Sequence, residues 1–348
     1  MRAMLCYCAA LLLTLTAVKS LNAQDFENPG AYISHISKLD RDLAVKYLSY
    51  MSAASHGKSM RKVEKRRADL LNSIYEVRVN VSAMPSYKGD KTLRDAGVNY
   101  LKIMYSVFNE DYGKLVNMEE IAEQSYDLME AYLLAQEKAD EKLKEAAVSR
   151  TVIEKEFAKK HNVNLLESES NLDRKLEQAG KINGYYHELY LIFFKSYKQE
   201  MYLVDALTGK NINAVEQSRN ALIKYSDEGF KKLTELKRYN EDKSMEIACK
   251  QMLDFFKDEA EKKIPTLSDF LIKSENFTKI KKAFDSKSAS KRTQEDIDAY
   301  NKAVADLNNG TNTYNTTNQQ LNTTRNKLIN LYNKSVQDYM NNYMPYAR

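Results

Sequence analysis

Laid against itself with a displacement of 152 residues and no gaps, the chain repeats. Between residues 35 and 115, His35 meets His187, Leu39 meets Leu191, Lys46 meets Lys198, Tyr50 meets Tyr202 and Ala54 meets Ala206. Gly57 and Gly209, Glu64 and Glu216, Arg67 and Arg219, Leu70 and Leu222, Asp90 and Asp242, and Leu101 and Leu253 pair in the same way. Roughly a fifth of the positions match, about three times the chance level, which is the mark of two structural units in tandem. On a helix the matches at 35, 39, 46, 50 and 54 fall within an arc of about 100°, as one packing face requires. The predicted fold is therefore all-α, with two tandem copies of an elongated antiparallel bundle of about four helices. The first copy is expected over 24–165 and the second over 166–348, after a cleaved signal peptide at 1–23.

Apolar residues recur at alternating spacings of three and four, which puts them on one helical stripe. This predicts helices over 29–55, 60–83, 91–110 and 117–160. Gly57 is expected to stop the first as a left-handed cap, Asp90 to cap the third, and Asn117 with Glu120 to open the fourth. The second copy reads as helices over 185–207, 212–236, 243–284 and 294–341, with a break at Pro265 and a Ser- and Lys-rich connection over 285–292. Gly180 and Gly184 predict a bend between the copies, and Gly209 a stop like Gly57.

Ala9–Val18 is an apolar run after Arg2, and Ala23 offers a small residue for cleavage, which reads as a secretory signal. The run is about half of what a membrane span needs. Cys6 and Cys8 would leave with it, so Cys249 would be the one mature cysteine, expected as a small core residue. Losing Arg2 and Lys19 takes the formal charge from +5 to +3, spread among many residues of both signs. Nucleic acid is thereby excluded as an expected partner, and no transmembrane segment is predicted.

No di-iron Glu-x-x-His pair, zinc motif, phosphate loop or nucleophile elbow occurs, so no enzyme, cofactor or metal is predicted. The residues worth following are few. Arg67 and Arg219 sit on apolar stripes and need carboxylates, for which Glu64 and Glu216 are three residues away; a structural ion pair is favoured over an anion site. His35 and His187 open the first helix of each copy and are expected to pack, the alternative being a paired ligand site. The run Arg61–Arg67 reads as a solvated face. Tyr185, Tyr186, Tyr190, Tyr197 and Tyr202 cluster on one helix, suited to seams and equally to sugar or peptide surfaces.

The stretches His56–Arg67, Val107–Tyr112 and Asn117–Asp127 resemble an uncharacterised family of exported surface proteins of Bacteroidetes and spirochaetes. The resemblance covers most of the mature chain. It implies the envelope of a diderm bacterium, periplasmic or surface-exposed, and carries over no activity or site residues. The expected role is non-catalytic, binding an envelope protein or glycan or contributing structure through a helical face. The alternative is a carrier of a small apolar ligand between helices, and a weaker one a hydrolase of envelope polymers. A cavity between the helices separates the first two; carboxylates clustered around room for substrate would favour the third.

Overall fold

The computed structural model describes residue 26 and residues 28–114, 121–165 and 170–347, with the side chain of Met60 left aside. The signal peptide at 1–23 and the Asn117–Glu120 capping box lie outside the described residues. Helices dominate: α1 (Pro29–Ser55), α2 (Met60–Ala83), α3 (Thr92–Ser106), α4 (Tyr126–Lys160), α5 (Asn171–Thr208), α6 (Ile212–Glu235), α7 (Ser244–Asp258), α8 (Ile264–Asp285) and α9 (Gln294–Tyr343). No strand occurs among the described residues. The chain is all-helical.

Three elements share bounds 152 residues apart: Met60–Ala83 with Ile212–Glu235, Thr92–Ser106 with Ser244–Asp258, and the π-helical turns Val107–Asp111 and Glu259–Lys263. The turn at Val107–Asp111 corrects the expectation of a continuous helix over 91–110, and the turn at Glu259–Lys263 falls just before the break expected at Pro265. In the second half Pro265 has no N–H to give the preceding turn, so the bonding must reorganise just before it. In the first, the turn leaves the Phe108 carbonyl to accept a bond from Arg67 Nη1 at 2.9 Å. The contacts run in parallel too: α1 packs on α2, α2 on α3 and α3 on α4, as α5 does on α6, α6 on α7 and α7 on α9.

The caps explain most of the bounds. The Asp90 carboxylate accepts from the Thr92 amide at 2.9 Å, and Asp242 from the Ser244 amide at 2.8 Å. Asp90 also takes Lys160 at 2.8 Å and His161 at 3.0 Å, which pins the end of α4 to the start of α3. The Lys160 ammonium, together with the helix amide, holds this carboxyl well below its usual range. Gly57 has φ +61°, a left-handed stop that only glycine adopts without strain. Gly209 does not: its φ is −74°, and the left-handed residue of the second half is Lys210 at +53°.

Two further expectations are corrected. The fourth long helix starts at Tyr126 rather than 117, with the Ser125 hydroxyl accepting from the Leu128 amide at 3.2 Å. The bend at Gly180 and Gly184 is absent, because α5 runs unbroken from a Ser170–Asp173 capping box. Each glycine costs the helix about 1 kcal/mol, which burial of Ala179, Ile182, Tyr185 and Leu189 outweighs at about 1.5–3 kcal/mol for each large side chain.

Two cores result. One gathers Tyr32, Ile36, Leu43, Leu70, Ile74, Leu93, Leu101, Phe108 and Phe157. The other is built from α5 to α9 around Leu189, Phe193, Leu222, Cys249, Leu253 and Phe256, and it also takes Met51, Ala122, Met129 and Leu133 from the first half. Cys249 is fully buried, and burial pushes its thiol well up. Tyr47, Tyr50 and Tyr132 touch both cores from the side. They mark the seam.

Candidate functional site

Packing is incomplete at that seam. The C-terminal turns of α1, the start of α2, the first half of α4, α5 and the end of α9 surround a cleft of about 500 Å³. Tyr50, Tyr112, Tyr132, Tyr186 and Tyr190 line it, with Met51, Met129, Leu133 and Met340 as apolar wall. Its polar lining includes Lys58, Glu64, Glu123, Gln136, Asp140, Asn183 and His187.

The side chains on the α4 wall follow helical spacing: Tyr132, Gln136 and Asp140 are four residues apart and share a face. Gln136 Nε2 donates to the Tyr132 hydroxyl at 3.0 Å. Asp140 Oδ1 accepts from Tyr112 at 2.6 Å and from Tyr47 at 3.3 Å. Burial raises the Asp140 carboxyl above its usual range, although both hydroxyls act the other way. Burial likewise raises Tyr47, Tyr50 and Tyr112, so all three keep their protons.

Of the residues singled out in the sequence, Glu64 and His187 line this cleft, whereas Arg67, Arg219, Glu216 and His35 do not. Arg67 grips Glu64 through Nε and Nη2, at 3.0 and 2.8 Å to Oε2. Arg219 holds Glu216 through a single bond of 2.7 Å from Nη1, and its buried Nε has no hydrogen-bond partner among the described residues. His35 lies against Phe26 at 5.6 Å, ring to ring, and burial lowers its pKa. His187 sits 5.9 Å from the Tyr186 ring and is pushed down to about 4 by burial, so it is neutral at physiological pH. The two histidines therefore do not share a pocket. Tyr185 is buried in the second core, while Tyr186 and Tyr190 face the cleft.

Asp140 and Glu123 escaped the sequence reading. The available signal was a carboxylate four residues beyond Gln136 on the Tyr132 face of α4. Among the described residues no three His, Cys, Asp or Glu side chains could together hold a metal ion. No helix among them is long and apolar enough to cross a membrane. Comparison with protein-family models, with curated proteins and with solved structures gives no significant match.

Proposed function

We propose that this chain is an exported, non-catalytic binding protein of a diderm bacterial envelope, a tandem duplication of one helical unit whose seam holds a small molecule. The duplication is supported by residue matches and by three pairs of elements with bounds displaced by the same 152 residues. Export is supported by the apolar run Ala9–Val18 and by the family resemblance.

The observation that carries the binding role is the cleft. Its volume of about 500 Å³ is in the range typical of small-molecule sites, and its mixture of apolar wall and few polar groups is what such sites use. A concave site of this kind favours a small ligand over the envelope protein or glycan expected from the sequence. Carboxylates do surround it, but Glu64 is tied to Arg67, Asp140 gives one oxygen to two tyrosines, and Glu123 is exposed to water. That suits holding better than acid–base turnover, in which a carboxyl must be free to exchange a proton with substrate.

The test is extraction. The protein is purified from envelope fractions, denatured, and the released small molecules are measured by mass spectrometry beside the variant Ala54→Trp. Ala54 is exposed and lines the cleft, so the indole would fill it without entering either core. One compound should accompany the native chain in near-equal amount and be lost from the variant. A native chain carrying nothing, or the same compound on both, would refute the reading.

A further inference from the structure

The wall of the cleft carries an uneven set of charges. Three carboxylates, Glu64, Glu123 and Asp140, line it against one lysine, Lys58. Glu64 is neutralised by Arg67 at 2.8 Å. Glu123 and Lys58 are exposed, where water screens them. Asp140 remains. It is partly buried, its Oδ1 takes both tyrosine hydroxyls, and neither Lys nor Arg pairs with it among the described residues. Oδ2 makes no hydrogen bond or ion pair among them either. His187 cannot serve as its counter-ion, being neutral.

From this we infer that the ligand is a small organic cation whose charged nitrogen sits at Asp140 Oδ2 among the rings of Tyr50, Tyr132, Tyr186 and Tyr190. The inference rests on the cleft being a ligand site, as argued above. Each class of ligand meets the same wall differently. An anion would face an unneutralised carboxylate. An apolar or merely neutral ligand would exclude water from Oδ2 and give nothing back, leaving a charged acceptor unsatisfied. A cation supplies the missing charge, and ring faces around it add attraction through their quadrupoles.

The experiment is calorimetric titration of the full chain with three probes of one shape and three charges: phenethylamine, 2-phenylethanol and phenylacetate. Phenethylamine should bind about tenfold or more tighter than the alcohol, and phenylacetate weakest. Asp140→Asn keeps an acceptor for Tyr47 and Tyr112, and should cost the amine about tenfold while leaving the alcohol within about twofold. Tyr190→Leu should weaken the amine more than the alcohol. If Asp140→Asn does not fold, the charge series on the native chain and the Tyr190 variant decide. Equal or tighter binding of the alcohol or the acid overturns the cation and leaves the cleft reading standing. Binding of none of the three overturns the cation as well, and an empty extract in the earlier experiment then removes the cleft reading with it.

Discussion

Each half of the molecule sets one arginine of its last long helix between two carboxylates, but at different depths. In the first half Arg150 pairs with Asp40 at 2.6 Å and Glu154 at 3.1 Å, their side chains 18% and 19% exposed. In the second, Arg325 binds Glu200 and, at 2.7 Å, Glu259, which are 2% and 1% exposed. Burial and the presence of a second buried carboxylate together set the proton affinity. Burial raises Asp40 to about 6, whereas burial and the neighbouring Glu200 raise Glu259 to about 8. The two halves differ again where helix positions correspond: Leu48 and Val107, both buried, precede Glu200 and Glu259 by 152 residues. A shared helical frame thus fixes which positions are buried without fixing whether they are oil or charge, provided charge is matched.

The largest effect expected from breaking this contrast comes from Arg325→Met, which strands two buried carboxylates and should cost about 3–5 kcal/mol in urea unfolding. Arg150→Met should cost less, about 1–3 kcal/mol, since the side chains of Asp40 and Glu154 are less fully enclosed. The triple replacement Glu200→Leu, Glu259→Val and Arg325→Met gives the second half the apolar character of the first. It should return to native stability or exceed it by about 1–4 kcal/mol. A triple variant as weak as Arg325→Met alone would show that the charges do more than fill space.

Next is Gly229, which stands 152 residues after the buried Val77. A Cβ there would lie 2.8 Å from Leu253 Cδ1, so this fully buried side chain would have to shift to admit it. Gly229→Ala should cost about 1–3 kcal/mol by overpacking. Thermal melting measures it, and an unchanged midpoint would mean that Leu253 yields at little cost.

The pH dependence should separate the halves more finely. A carboxyl whose folded pKa is raised binds its proton more tightly when folded, so its contribution is present below the unfolded pKa and is lost as pH rises. For Asp40 that window runs from 3.8 to about 6, and for Glu259 from 4.5 to about 8. Asp40→Asn should flatten the melting profile in the lower window and Glu259→Gln across the wider one. Identical profiles would show that depth is not the cause. Asp90 and Asp242 are lowered and act with the opposite sign, giving both halves a loss of stability as pH falls below the ordinary carboxyl range. The smallest effect is Lys210→Gly, which relieves a left-handed backbone and should gain about 0.5 kcal/mol. The same change at Lys58 should gain nothing, because Gly57 already holds the positive φ.

Most of the helical frame was legible because its signals are local. Caps at Asp90 and Asp242, the stop at Gly57 and the Arg67–Glu64 spacing involve residues one turn apart or less. The errors arose where distant packing outweighed a local cue: Gly180 and Gly184 look like a hinge until Ala179, Ile182 and Tyr185 are buried against other helices. Ile121 is exposed and lies before the start of α4, whose first buried residues are Met129 and Leu133. The cleft was illegible for a stronger reason. Its walls come from positions between Tyr50 and Met340, and Arg325 meets Glu200 across 125 residues. No spacing rule in a single helix encodes either meeting.

The helix α9 is a single run of 50 residues, about 75 Å at 1.5 Å per residue. Its first half pairs with α8 in a hairpin clasped by Phe284 on Tyr300 at 4.6 Å and Phe270 on Tyr314 at 4.5 Å. Beyond Leu271, α8 buries no side chain, so this hairpin is held chiefly by its own two strokes. The other end of the same rod supplies Val336 and Met340 to the cleft. A tilt imposed at the outer tip would travel as leverage along a stiff beam, with the second core as fulcrum, and alter the width of the cleft between the two cores.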